Sequence, residues 1–175
     1  SDFYLLDPKG NFQHGRQGLA AALDIIMEQA RSLDALVVDI RKNTGGAELY
    51  GIDVASRFAE KQYVAYVRRV FVRDGGLSRL TEGQQIYVNP TRGCGFGGKI
   101  VVLAGRHTVS AGETFMLALM NRPREMTSIG ERTQGALSGV LRRRLPNGIR
   151  FTLPNEVYLS EDNRCFEVVM ARTAR

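Results

Sequence analysis

The segment Lys99–Asn121, KIVVLAGRHTVSAGETFMLALMN, places the tightest limits on what this chain can fold into. Lys99–Ala104 is a short apolar run rich in β-branched residues, which predicts a buried strand. Gly105–Val109 is a brief polar break. Ala111–Met120 is then apolar on almost every side, interrupted only by Glu113 and Thr114, which predicts a deeply buried helix. Ser110 sits at the handover from loop to helix. Its hydroxyl is aimed there by first-turn N–H groups that lack intrahelical partners, at the positive end of the helix dipole. Those conditions suit a nucleophile with an oxyanion site beside it. They suit a capping box equally well: in Ser110-Ala-Gly-Glu113 the serine caps the third helical amide and the glutamate reaches back. Spacing alone leaves both roles open.

Around this segment the chain alternates strand and helix patterns. Phe3–Leu6 reads as a short strand, Asn11–Gly18 as a polar loop containing His14, and Leu19–Arg31 as an amphipathic helix. Ala35–Ile40 is a buried strand that runs into Arg41-Lys-Asn-Thr-Gly-Gly46. Adjacent glycines directly after a strand fit either a simple turn or a place where a ligand approaches the backbone. Gly51–Glu60 predicts a helix, Tyr63–Val72 and Gln85–Val88 strands, and Arg73–Gly83 a mobile polar connection. Thr127–Ile129 is strand-like. Ser138–Leu145 and Gly148–Leu153 form a hairpin about Pro146-Asn147-Gly148. Pro154–Leu159 and Phe166–Met170 complete the pattern, an α/β domain with a mixed sheet. At 175 residues the expected organisation is a single domain. With no initiator Met and no secretory signal, it reads as a processed or excised piece of a longer chain.

No apolar run reaches the length of a membrane span. The net charge of +6 is largely an arginine surplus, densest at Arg68-Arg69, Arg122/Arg124 and Arg142-Arg143-Arg144. No nucleic-acid motif or stacking strand accompanies these clusters, so a nucleic-acid partner is not expected. Cys94 and Cys165 lie in no C-x-x-C pair, and His14 and His107 are the only histidines; neither a metal nor a cofactor is expected. A nucleophilic serine also needs a base. An α/β-hydrolase would place a histidine after the serine, and none follows residue 107. The Gly-x-Ser-x-Gly elbow is half present, with Thr108 at its first position.

Three segments in order carry a resemblance. Leu36–Gly46, LVVDIRKNTGG, Lys99–Phe115, and Ile129–Gly135, IGERTQG, are similar to the motifs of the serine peptidases that include the C-terminal processing (tail-specific) proteases, the tricorn core protease and the interphotoreceptor retinoid-binding repeats. Leu145–Asn155 fits the hairpin that follows in that family. The resemblance implies a crotonase-like (Clp protease-like) α/β core with flanking helices, no cofactor, and a peptide or protein substrate. It implies Ser110 as nucleophile, with an oxyanion hole from Ala111 and the Gly45-Gly46 pair. Tail-specific members carry a lysine base after the glycine of the Thr-x-Gly turn, where this chain has Ala136. That departure points to the tricorn-like branch, whose base is a histidine upstream of the core and whose late glutamate corresponds to Glu167. The family further implies an extracytoplasmic, bacterial setting. A non-catalytic binding module of the same fold, as in the retinoid-binding relatives, is the alternative.

Overall fold

The computed structural model describes residues 12–91, 93, 95–124 and 126–166. In chain order the elements are α1 (Phe12–Ala30), β1 (Ala35–Asp39), α2 (Glu48–Ala55) with a 3-10 turn at Ser56–Phe58, β2 (Tyr63–Asp74), β3 (Leu77–Leu80), β4 (Gln84–Val88), β5 (Lys99–Ala104), α3 (Ala111–Met120), β6 (Met126–Gly130), β7 (Val140–Arg144), β8 (Arg150–Pro154) and β9 (Glu156–Leu159). The β5–loop–α3 unit has the bounds its apolar pattern predicts. Phe3–Leu6, Cys94 and Glu167 lie outside the described residues, as does all of the strand expected at Phe166–Met170 except Phe166.

β1, β5 and β6 form a parallel sheet in the order β1-β5-β6. Ile100, Val102 and Ala104 project into the core, with Leu36, Val38 and Met126 packed against it from the neighbouring strands. Against this face lies α3, whose residues Ala111–Leu119 are all buried. On its far side β2 is the spine of an antiparallel sheet, paired with β3, β4 and β9. Two polar contacts fix that sheet to the helix: Tyr63 Oη donates to Ala118 O at 2.9 Å, and Asn121 Nδ2 donates to Ala65 O at 2.6 Å. Burying a helix on every side removes its polar surface from water, so each of its exposed backbone ends must find partners within the protein.

Two stretches differ in kind from their sequence reading, and the helix expected at Gly51–Glu60 begins earlier, at Glu48, and ends in the 3-10 turn at Ser56–Phe58. Asn11–Gly18 is helical from Phe12 onward, because the first turns of α1 are held by tertiary contacts that polarity does not reveal. Arg16 forms a two-point ion pair with Asp53 of α2, at 2.7 and 2.6 Å. Arg73–Gly83 is a hairpin: β2 continues to Asp74 and returns as β3 through Gly75-Gly76, with Asp74 opposite Leu77. Both turn glycines have positive φ, +56° and +85°, the geometry that matches the twist of the flanking strands. The Asp-Gly-Gly turn signal was present and was masked by the polarity around it.

β6 ends at a glycine that has no substitute. Gly130 has φ +126°, and a Cβ there would lie 2.1 Å from Ala104 O on the neighbouring strand. Gly130→Ala combines a strained backbone with a clash against main chain that cannot swing aside. It should lower unfolding free energy by about 3 kcal/mol or more, measured by urea denaturation at neutral pH.

Candidate active site

Three loops leave the carboxyl ends of the neighbouring parallel strands and meet at one point. Crevices at that end of a parallel sheet are where α/β folds bind ligands. The loop after β1 and the loop after β5 are joined first. Thr108, fully buried, donates its Oγ1 proton to Ile40 O at 2.8 Å and accepts from Gly105 N at 3.1 Å. Asn43, also buried, accepts at its carbonyl from Val109 N at 3.0 Å, and its Oδ1 accepts from Gly45 N at 2.9 Å. Asn43 thereby shapes the glycine turn and holds it against the approach to α3.

The glycine pair arrives beside the serine. A Cβ built on Gly45 would lie 2.9 Å from Ser110 Cβ, 3.0 Å from Val109 O and 3.4 Å from Ala111 N. With φ +102° as well, this position admits no side chain. Ser110 has φ +53° and ψ −117°, and shares positive φ with only Asn163 among described non-glycine residues. Backbone of this kind costs about 1–3 kcal/mol and persists only where its surroundings hold it. The next amide, Ala111 N–H, has no protein acceptor among the described residues, although Ala111 is 3% exposed. An unpaired N–H at the start of a buried helix is suited to receive a ligand oxygen.

The third loop is fastened by a carboxylate. Glu113, fully buried, accepts from Ser110 N at 3.0 Å and Ala136 N at 2.9 Å through Oε2, and from Gly135 N at 2.7 Å through Oε1. The reaching-back half of the capping box is therefore formed, and the same side chain does a second task that spacing does not reveal. Backbone bonds run alongside it: Gln134 N to Thr108 O at 3.1 Å and Ser110 N to Ala136 O at 3.1 Å. Ala136 thus lies next to Ser110, where it offers a methyl group and no base.

Of the residues singled out in the sequence, Gly45, Ser110 and Ala111 come together, with Gly46 next in the chain. Glu167 lies outside the described residues, and so does the side chain of His14. His107 is exposed in a crevice lined by Asp39, Arg41, Lys42, Arg106 and Glu131, without Ser110. Asn43 and Thr108 had no role assigned from sequence. Asn43 does lie within the Arg-Lys-Asn-Thr-Gly-Gly run, and that polar residue before paired glycines was its signal. Among the described residues no three His, Cys, Asp or Glu side chains group as metal ligands, and no helix is long and apolar enough to cross a membrane.

Near the base of the first loop, Asp39 accepts from the Arg41 guanidinium at 3.0 and 2.7 Å and from its backbone N–H at 3.0 Å. The guanidinium bonds, with the backbone bond second, hold the Asp39 carboxyl down at about 2. A folded-state value below the unfolded one stabilises the protein above the ordinary aspartate range of about 4. That contribution is lost as pH falls towards 2. Arg41→Ala should return the Asp39 titration towards the ordinary range, followed by carboxyl NMR. Glu113→Ala leaves the Gly135 and Ala136 N–H groups without their carboxylate and Ser110 N with only Ala136 O, and should cost about 1–3 kcal/mol in urea denaturation, with Glu113→Gln costing less.

The family model for peptidase family S41 matches residues 10–170. Among solved structures, a protein of Parabacteroides merdae described as a peptidase aligns with TM-score 0.78 and 24% identity, over 89% of this chain and 49% of its own. Mature CPAF aligns with TM-score 0.77 and 16% identity, over 97% and 44% respectively. The photosystem II D1 C-terminal processing protease aligns with TM-score 0.64 and 21% identity, over 91% and 38%. The chain therefore spans half or less of the length of these structures. No curated protein sequence matches it. The mixed α/β fold is that of a crotonase-like (Clp protease-like) core, and the chain belongs to peptidase family S41.

Proposed function

We propose that the chain is the core of a serine endopeptidase that cleaves peptide bonds through an acyl-enzyme on Ser110. The observation that carries this is the pairing of the strained Ser110 with an unpartnered Ala111 N–H across from a side-chain-free Gly45. In this reading Ser110 Oγ attacks the scissile carbonyl carbon while its proton passes to a base. The carbonyl oxygen gains negative charge and is held by Ala111 N–H and a second donor. Gly45 N–H is already given to Asn43 Oδ1, so within the glycine pair Gly46 takes that part. The intermediate collapses as the amine leaves with the proton, and water then releases the acyl group.

Ala136 beside Ser110 argues for the tricorn-like version, in which a histidine from outside these 175 residues takes the proton and Glu167 supports it. The same alanine favours a second reading, a peptide- or ligand-binding module that has kept the fold without the chemistry. A serine-directed fluorophosphonate separates the two in the full-length protein. The expected result is one adduct on Ser110, found by peptide mass spectrometry and absent from Ser110→Ala. Labelling that survives in Ser110→Ala would move the nucleophile away from Ser110 and overturn this reading, and tight peptide binding with neither labelling nor turnover would replace it with the other.

A further inference from the structure

The β7–β8 ribbon follows directly on the loop that meets Ser110, and its cationic face has no carboxylate partner among the described residues. Its register pairs Val140 with Pro154, Arg142 with Thr152 and Arg144 with Arg150. Directly opposed residues of an antiparallel pair share a face, and residues two apart in a strand repeat it. The first rung, the second and the third therefore lie in one row on one side of the ribbon. The first rung also lines a groove of about 690 Å³, together with Gln134–Ser138, Phe71 and Tyr158. Ala136, in that wall, accepts from Ser110 N. The arginine row thus continues outward from a rung that lines this groove, one wall of which is bonded to the backbone of Ser110.

Two further observations make this row more than a solvated surface. Residues 139–155 contain four arginines and no Asp or Glu, and none of the four has a carboxylate partner among the described residues. Arg144 and Arg150 stand opposite one another, an arrangement that destabilises a strand pair unless an anion sits between them. The root is held firmly: Ser138 Oγ accepts from Asn155 N at 3.1 Å and Glu156 N at 3.0 Å, and Gly139 N donates to Glu156 Oε2 at 2.8 Å. A pinned ribbon presents its charges in a fixed direction.

We infer that the Arg142, Arg144 and Arg150 face is a docking surface for an extended, acidic stretch of the polypeptide held in the groove. This rests on the peptidase reading and names its substrate class. An extended segment repeats its side chains about every 6.8 Å, the spacing of the ribbon's own rungs. Acidic residues at alternate positions would therefore meet successive rungs. Arg142 and Arg144 lie six and eight residues along the chain from Ala136. A bound segment running alongside residues 136–144 would carry its acidic positions about six to eight residues from the bond over Ser110.

The test uses the full-length protein with Ser110→Ala, so that bound peptide stays intact. Fluorescein-labelled peptides carry alternate glutamates at that distance, on either side of a common centre, and their counterparts carry glutamine. Anisotropy should give about tenfold tighter binding for one glutamate peptide than for its glutamine form, as expected of two or three exposed ion pairs. The difference should shrink with added salt and vanish in the Arg142→Ala/Arg144→Ala/Arg150→Ala variant. Equal binding of glutamate and glutamine peptides, or an unchanged preference in the triple variant, overturns the inference. So does sedimentation with phosphatidylserine-containing vesicles, lost in the triple variant, without a glutamate preference, which assigns the ribbon to a lipid surface. In the native-serine protein, cleavage with no glutamate preference sinks this inference alone. A glutamate preference in binding with neither cleavage nor fluorophosphonate labelling sinks the peptidase reading alone.

Discussion

The Glu113 carboxylate is the tie on which the site's geometry depends. A carboxylate removed from water is costly unless its lone pairs are used, and here three backbone N–H groups use them. Two come from the loop after β6 and one from Ser110 itself. The bond therefore draws separate strands' loops into register about the serine. It also helps explain how a non-glycine residue persists at φ +53°. Strain of that order survives only when the surroundings determine it from several sides, and the Glu113 and Ala136 contacts supply two of those sides.

The glycine turn is set from the opposite direction by neutral groups. Thr108 and Asn43 use side chains to pair backbone that would otherwise be buried without partners. Their bonds fix the loop after β1 to the loop after β5, and the close approach of Gly45 follows. One wall is thus made rigid by charge-assisted bonds and the other by an amide and a hydroxyl. The Ala111 N–H, without a protein acceptor among the described residues, lies between them.

The apolar skeleton was readable from sequence because burial leaves a local imprint. Lys99–Ala104 and Ala111–Met120 keep their predicted bounds, since each is apolar through a whole element and ends at a polar break. The start of α1 was not readable, because Arg16 gains its partner from Asp53, far along the chain. Asp74-Gly75-Gly76 is obscured for the opposite reason: a local turn signal is outweighed by the polar residues around it. At the site, Ser110-x-x-Glu113 announced a cap, a relation within one helical turn. The bonds from Glu113 to Gly135 and Ala136 depend on how the chain returns after β6, and no spacing rule encodes that return. The meeting of Gly45 with Ser110 was anticipated only through the order of the motifs that carry the family resemblance.

The candidate site is assembled from loops at the ends of the parallel strands, while the arginine ribbon is rooted separately through Ser138 and Glu156. Such a division lets inheritance act on the two parts at different speeds. Substitutions along the projecting arm can change its charge without disturbing the tightly bonded centre, whereas changes at the centre itself are confined to residues that preserve its backbone.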